Sequence, residues 1–283
     1  MNTRCLLLWT VLGVVGSAQD PAAVIIDEKS TNSVVPYPIS PGMLLSLHVR
    51  GVSAERALVP DGVELPTELN GIQVTYQGCG VLETAIPILR IDIVSGFYVS
   101  NDYRIVTVYI PPEFINEKAT SLCEPILKVW VDGMPGLLSN FRYTPAQPRT
   151  MTTCTLPIAP LYPSKCSGDA AVTHEDGTFV DLGNPAQPGE IVYLWAIGIH
   201  RLQPQTYGSA LAFNLRPLNE VPITVGGRRP HPTKIGVYLV PVRIPEEMPE
   251  EMVACRFGPL NYRVTIGNAD TGKSSVYLCV QKP

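Results

Sequence analysis

A strand pattern that occurs twice is the feature that most constrains the fold of this chain. Residues 108–114 (VYIPPEF) are echoed by residues 242–248 (VRIPEEM), and residues 41–47 (PGMLLSL) by residues 188–194 (PGEIVYL). In both copies a Pro-Gly turn leads into a strand, and a later strand ends at an Ile-Pro step, because proline lacks the backbone donor that continues a sheet. Two copies of one strand plan predict two similar β domains in tandem.

The sequence around these motifs consists of short apolar runs separated by turn residues. Residues 43–49 and 191–196 alternate between two faces, as half-buried strands do. The 28 prolines and 23 glycines, with only 16% charged residues, favour short strands joined by turns. We therefore expect an all-β chain of two tandem immunoglobulin-like β-sandwich domains, residues 19–143 and 151–283, joined by a linker at residues 144–150.

The N-terminus has the three parts of a secretory signal peptide. Residues 1–4 include a positive charge, residues 5–15 are almost all apolar, and residues 16–18 offer small side chains for cleavage after Ala18. The alternative is a retained membrane anchor, although the apolar run is short for a bilayer span. We expect residues 1–18 to be removed. The mature protein should then be secreted, outside the cell or in the cell envelope, with no membrane insertion.

Cysteine usage agrees with an exported chain. Loss of Cys5 leaves six cysteines, and an even number in an oxidising compartment predicts three disulfides. Several pairings are possible, and the spacing does not choose among them. We expect neighbours to pair: Cys79 with Cys123, Cys154 with Cys166, and Cys255 with Cys279. A zinc site is disfavoured because the chain has no Cys-x-x-Cys and no histidine at ligand spacing from a cysteine pair.

The charge balance narrows the class of partner. The chain has 21 basic and 25 acidic residues and a net charge of -4, without a large basic cluster. Nucleic acids and anionic membranes attract clustered positive charge, so neither is an expected partner. An extracellular protein or a polysaccharide is the partner that the sequence predicts.

The sequence contains no catalytic constellation, and we expect no enzyme activity, no metal site and no cofactor. The cysteines are assigned to disulfides, and no Gly-x-Ser-x-Gly motif is present. His174, Glu175 and Asp176 bring an imidazole and two carboxylates together, which suggests a metal or acid–base site, but the following glycine favours a tight turn. The acidic run at residues 246–251 suggests either calcium or a solvated turn, and we expect the turn.

A basic cluster supplies the candidate contact residues. Arg228, Arg229 and His231 lie close together in the sequence, with Lys234 nearby. The planar fork of arginine binds carboxylates, so we predict that the first three residues contact an acidic partner. The alternatives are a solvated hairpin loop and a head-to-tail contact with the acidic run of another copy.

Several sequence blocks resemble a known family. The central block, residues 184–198 (NPAQPGEIVYLWAIG), is the most specific because of its length. Five further blocks occur in order, and they are residues 39–42, 65–71, 174–178, 223–227 and 236–245. Together they resemble the uncharacterised secreted β-domain family expanded in Solibacter-type Acidobacteria, over residues 32–280. The resemblance implies an exported immunoglobulin-like module and no known ligand or catalytic residue.

These features together predict a secreted, disulfide-stabilised structural or interaction module, adhesive or binding at the cell surface. Recognition by such sandwiches commonly resides in loops. The alternative is a glycan-directed hydrolase or a carbohydrate-binding protein, and a hydrolase requires two carboxylates brought together by the fold. Two buried acids facing each other in a cleft would distinguish the hydrolase from the binding module.

Overall fold

The computed structural model describes residues 24–26, 38–49, 52–93, 104–114, 123–144, 146, 148–151, 171–200, 203–255, 260–268 and 272–282. The all-β prediction is confirmed, since these residues contain 21 strands, two short 3-10 turns and no α-helix. No helix among them is long and apolar enough to cross a membrane. The predicted signal peptide and the predicted bridge between Cys154 and Cys166 lie outside the described residues.

Twelve strands belong to the N-terminal half, which we define as residues 24–144. They are β1 (Val24–Ile26), β2 (Pro38–Ile39), β3 (Met43–Val49), β4 (Ala57–Leu58), β5 (Glu68–Leu69), β6 (Ile72–Gly78), β7 (Val81–Ile86), β8 (Ile88–Ile93), β9 (Arg104–Ile110), β10 (Ile126–Val131), β11 (Met134–Asn140) and β12 (Arg142–Tyr143). A 3-10 turn at Pro112–Phe114 follows β9 where the two prolines end the strand.

Nine strands belong to the C-terminal half, residues 146–282. They are β13 (Arg149–Thr150), β14 (Val172–Thr173), β15 (Ile191–Ile197), β16 (Thr206–Leu211), β17 (Pro217–Pro222), β18 (Arg229–Pro230), β19 (Tyr238–Arg243), β20 (Tyr262–Asn268) and β21 (Gly272–Leu278). The second 3-10 turn, Phe213–Leu215, connects β16 to β17. The last two residues of the predicted linker form β13, which pairs with β15; the predicted domain bounds stay a prediction.

The two halves have the same strand order. One sheet of the N-terminal half runs β1-β3-β9-β8-β4, and the other contains β7, β6, β10 and β11 side by side. In the C-terminal half the corresponding sheets are β13-β15-β19-β18 and β17-β16-β20-β21. Each half thus has the A-B-E-D and C′-C-F-G sheets of an immunoglobulin-like sandwich, and this part of the fold prediction is confirmed.

The two repeated sequence motifs meet within each half. The amide of Gly42, before β3, donates to the carbonyl of Ile110 at the end of β9 at 2.8 Å. The equivalent amide of Gly189, before β15, donates to the carbonyl of Ile244 at 3.0 Å. Both glycines have positive φ, 69° and 81°, a conformation that favours glycine. The repeat is therefore a structural requirement for pairing the start of one strand with the end of another.

Each half has its own apolar core between its two sheets. In the N-terminal half Leu45 and Val108 pack with Ile72 and Val129 of the facing sheet. In the C-terminal half the core similarly combines residues from β15 and β19 with residues from β16, β20 and β21. Along β10 buried and partly exposed positions alternate, as they do in a sandwich sheet with one buried face.

Two of the predicted disulfides are confirmed. Cys79, directly after β6, pairs with Cys123, shortly before β10. Cys255, in the segment before β20, pairs with Cys279, directly after β21. Each bridge closes the end of a pair of neighbouring strands within one half, which is why pairing of sequence neighbours was the correct expectation for these four cysteines.

A third apolar cluster joins the two halves. We call it the junction cluster, and its buried members are Leu44, Val59, Leu65, Leu89, Met151, Ala171, Trp195, Val237 and Leu239. On β3 and β15 these residues alternate with core residues, so they lie on the outer faces of the two A-B-E-D sheets. The two halves are therefore packed against each other through the outer faces of these sheets. In an isolated sandwich the same faces would be exposed to solvent.

Candidate functional site

The loop between β18 and β19 forms the C-terminal half's side of the junction. His231 organises this loop: its amide donates to the carbonyl of Val237 at 2.9 Å. The His231 Nδ1 atom accepts the amides of Thr233 and Lys234 at 3.3 and 3.2 Å. The histidine side chain therefore holds the loop in the shape that directs Lys234 toward the N-terminal half.

An ion pair crosses the junction. Lys234 Nζ donates to Asp61 Oδ2 at 2.7 Å, and the lysine side chain is only 4% exposed. Asp61 is 41% exposed, so its carboxylate lies at the rim. A buried ammonium is unfavourable without a partner, and Asp61 supplies that partner from the other half.

A cavity of about 390 Å³, the junction cleft, opens beside this ion pair. Aromatic rings from the outer face of the C-terminal half form its floor: Trp195 lies 5.7 Å from Phe179 and 4.5 Å from His231, measured between ring centroids. The guanidinium carbon of Arg229 lies 4.4 Å from the centroid of the Tyr193 ring. The cleft thus combines aromatic walls with a cation and an imidazole, a composition typical of ligand sites.

His231 is neutral in this arrangement. Burial, and then the positive charge of Lys234, lower the pKa of its imidazole, and the opposing effect of Asp61 does not reverse this. Nδ1 already accepts two amides, so the ring proton belongs on Nε2. The imidazole is therefore a hydrogen-bond donor through Nε2.

His174 lies in the same cleft but is occupied by its own partners. Its Nδ1 atom lies 2.5 Å from Glu190 Oε1, and its Nε2 atom lies 3.2 Å from the carbonyl of Asn184. Burial lowers the pKa of His174, but the hydrogen bonds to Glu190 and Asn184 and the charges of Glu190 and Asp176 outweigh it and raise the pKa above its usual value. His174 acts as a structural cation that ties its turn to the start of β15.

The turn after His174 has the form expected from its sequence. The amide of Gly177 donates to the carbonyl of His174 at 3.1 Å, and Asp176 Oδ1 accepts the amide and hydroxyl of Thr178. In the described residues no group of three metal-ligating side chains is present. Glu175 is exposed on the cleft wall.

The structure separates the three predicted contact residues. Arg229 and His231 both line the junction cleft. Arg228 lies elsewhere: its guanidinium donates to the carbonyl of His200, and its guanidinium carbon lies over Tyr238, 5.7 Å from the ring centroid. Replacing Arg228 would therefore disturb packing as well as charge, and it does not belong with the other two residues as a contact patch.

Sequence reasoning missed the N-terminal half's contribution. Asp61 lies in a turn of ordinary composition, and nothing in its neighbourhood marks it as the partner of Lys234. Tyr193 and Trp195 were expected on a strand, but the strand pattern alone does not reveal that their outer face is covered by another domain. The repeated apolar residues on the outer face, such as Leu44 and Leu239, were the available signal.

A second cavity lies on the other side of the β18–β19 loop. Its volume is about 450 Å³, and its lining includes Tyr109 and Glu64 of the N-terminal half with Tyr238 of the C-terminal half. Burial, with smaller effects from Tyr238 and Glu113, raises the pKa of Tyr109 to about 12. This phenol is therefore neutral over the physiological pH range.

No family model matches the sequence, and no curated protein matches it significantly. Among solved structures the chain is similar to a chimeric titin Z1Z2-Z1Z2 tandem functionalised with a GRGDS peptide from fibronectin, with 11% identity over 87% of this chain and 95% of that chain and a TM-score of 0.21. It is also similar to the C-terminal domain of the Streptococcus agalactiae AgI/II polypeptide BspA, with 9% identity over 92% and 99% of the two chains and a TM-score of 0.21. Since these scores are low, the immunoglobulin-like assignment rests on the strand order.

Proposed function

We propose that the protein is a non-catalytic interaction module that acts outside the cytoplasm and presents the junction cleft to its partner. The observation that carries this proposal is the packing of two sandwiches through their outer sheet faces, with the buried Lys234 held by Asp61 at the edge of a cleft. A joint of this kind fixes the two halves as one unit and places loops from both beside the same cavity.

An extracytoplasmic location is part of the proposal. Two disulfides support it, because such bonds persist in oxidising compartments. The predicted signal peptide and the resemblance to a secreted β-domain family agree with it. An adhesive role at the cell surface, with an extracellular protein or polysaccharide as partner, is the finer form of the same proposal.

The hydrolase alternative has no observation in its favour. In the part of the chain that the structure describes, the buried polar and charged residues include no aspartate or glutamate. Glycoside hydrolysis needs two carboxylates that face each other in a cleft, and the two carboxylates that line the junction cleft, Asp61 and Glu175, are both exposed.

Binding of the oxidised protein to an array of extracellular polysaccharides and envelope proteins tests the proposal. We expect a saturable hit that is lost when the junction is opened by Leu44→Asp, and retained in Glu220→Ala, a change far from the junction cluster. Circular dichroism checks that both variants keep their strands. A hit that survives Leu44→Asp, or cleavage of the bound polymer detected by mass spectrometry, would contradict the proposal.

A further inference from the structure

Arg229 is a cation that contacts an aromatic ring and has no ion-pair partner among the described residues. Its side chain is exposed, and its guanidinium carbon lies over the Tyr193 ring, 4.4 Å from the ring centroid. Across the described ranges no carboxylate lies within ion-pair distance of it. A guanidinium over an aromatic ring still has N–H groups for a ligand, and two of them match the oxygens of one carboxylate.

His231 offers a second donor in the same cleft. Because its Nδ1 atom accepts two backbone amides, its Nε2–H is the group that remains for a ligand. A tilted ring contact with Trp195 and the two amide hydrogen bonds hold the imidazole in place. The donor therefore needs little reordering when a ligand arrives, which favours binding.

The remaining charges of the cleft are mostly paired. Lys234 is neutralised by Asp61, and His174 by Glu190. Glu175 is an exposed carboxylate on the wall and opposes an anion. Arg229 therefore provides the positive charge that is available to an anionic ligand. Repulsion by Glu175 limits the affinity for that ligand.

We propose that the junction cleft binds the carboxylate of an acidic sugar, a uronic acid unit of a polysaccharide. The carboxylate takes two hydrogen bonds from Arg229 and one from His231 Nε2–H, and the sugar ring lies against the partly exposed Phe179. A cavity of about 390 Å³ is of the size that holds a small ligand. The inference rests on the proposed interaction function and names its ligand class.

The edge strand beside the cleft favours a sugar over an acidic peptide. Peptides commonly bind a sheet edge by extending it with main-chain hydrogen bonds. Here the edge strand β18 has two residues, and one is Pro230, which has no amide to donate. Recognition in the cleft therefore relies on side chains, as expected for a carboxylated sugar.

Calorimetric titration of the oxidised protein with trigalacturonate and with triglucuronate, in the presence of a chelator, tests the inference. We expect saturable binding of one of these, and none of the neutral methyl ester of the same sugar. Arg229→Gln should weaken binding about 10-fold or more, since a charge-assisted bidentate contact is lost. Arg216→Gln, at another exposed arginine, should leave affinity unchanged, and Glu175→Gln should strengthen binding about twofold.

Each other outcome overturns the inference. Equal binding of the methyl ester, or an affinity that Arg229→Gln does not change, would show that no carboxylate is recognised there. Saturable binding of a poly-glutamate peptide in place of both sugars would show that the ligand class is wrong, and no saturable binding of either sugar would remove the site. A neutral polysaccharide hit that depends on the junction but not on Arg229 would leave the proposed function intact while refuting this inference.

Discussion

Lys234 Nζ lies 2.7 Å from Asp61 Oδ2, and the two residues belong to different halves of the molecule, 173 positions apart in the sequence. The lysine is almost fully buried, whereas the aspartate reaches solvent. Hydrogen bonds within the β18–β19 loop fix the position of the lysine. The aspartate carboxylate therefore compensates the charge of an ammonium group that is held in a buried position. The pair thus links the fold of one loop to the packing of two sandwiches.

Loss of this carboxylate should destabilise the protein more than loss of a similar surface carboxylate. Asp61→Ala leaves a buried ammonium without a partner, and we expect the free energy of unfolding to fall by about 2 kcal/mol. Glu220→Ala is the matched control, because Glu220 is equally exposed at 41% but pairs with a less buried cation, Arg263. Its removal should change stability by less than about 1 kcal/mol.

Urea unfolding of the two variants measures this difference. The double variant Asp61→Ala/Lys234→Met should recover most of the lost stability, since the buried charge is gone and the volume is kept. Equal effects of Asp61→Ala and Glu220→Ala would show that the junction ion pair contributes no more than a surface pair.

Substitution of Gly42, in the first of the two repeated Pro-Gly turns, is a second test of how closely the two halves are packed. At Gly42, which has a φ of 69°, an added Cβ would lie 2.7 Å from the Cβ of His200 in the other half. Gly62 has a similar φ of 79°, but nothing lies within 4 Å of a Cβ built there. Gly62→Ala should therefore lose only about 1 kcal/mol from the backbone conformation, and Gly42→Ala should lose about 2–4 kcal/mol because the halves must also separate.

Thermal unfolding of both glycine variants, with small-angle scattering to report the separation of the halves, checks this expectation. A larger radius of gyration is expected for Gly42→Ala alone. If both substitutions lowered stability equally, the close approach to His200 would have no energetic consequence.

The sequence was sufficient to predict the strands that carry the repeated motifs, because their apolar residues alternate. Alternation along residues 43–49 and 191–196 predicts strands, and the structure has β3 and β15 there. The strand β16 carries no such signal, because small and polar residues such as Gly208 and Ser209 occupy its buried positions. A Cβ at Gly208 would lie 2.0 Å from the Tyr262 hydroxyl, so the packing of an aromatic neighbour selected the glycine.

The candidate site was less predictable than the fold. Arg229 and His231 were identified from their chemistry, and both lie in the junction cleft. Arg228 has the same chemistry but a different partner, the carbonyl of His200, and only tertiary packing distinguishes the two arginines. Asp61 could not be paired with a residue so distant in the sequence without knowledge of how the halves meet.

The disulfides should contribute to stability according to the length of chain that each one closes. The Cys79–Cys123 bridge spans 44 residues and the Cys255–Cys279 bridge spans 24. A crosslink restricts the unfolded chain more when its loop is longer, so Cys79→Ala/Cys123→Ala should lose about 2–5 kcal/mol, and about 0.5 kcal/mol more than Cys255→Ala/Cys279→Ala. Guanidinium unfolding of the two double variants measures the losses. A greater loss for the shorter loop would mean that packing around Cys279, which is buried, outweighs the loop effect.

The ion pair of His174 and Glu190 should make stability depend on pH. Because the folded-state pKa of His174 is raised above the unfolded value of about 6.5, the protonated imidazole stabilises the folded protein. This contribution is fully present below about pH 6.5 and is lost as the pH rises through the folded-state pKa.

Glu190→Gln removes the charge that raises this pKa but keeps an acceptor for the amide of Gln187, which Glu190 Oε2 binds at 2.8 Å. We expect the pKa of His174 in this variant to fall, because the charge of Glu190 that raises it is lost, and stability to decrease more below about pH 6 than above about pH 8. Glu247→Gln, at an exposed position, is the control and should shift neither quantity. Proton NMR titration of His174, combined with urea unfolding at both ends of the pH range, measures both effects. An unchanged His174 titration in Glu190→Gln would show that the pair does not control the charge of the imidazole, and the stability difference would then need another cause.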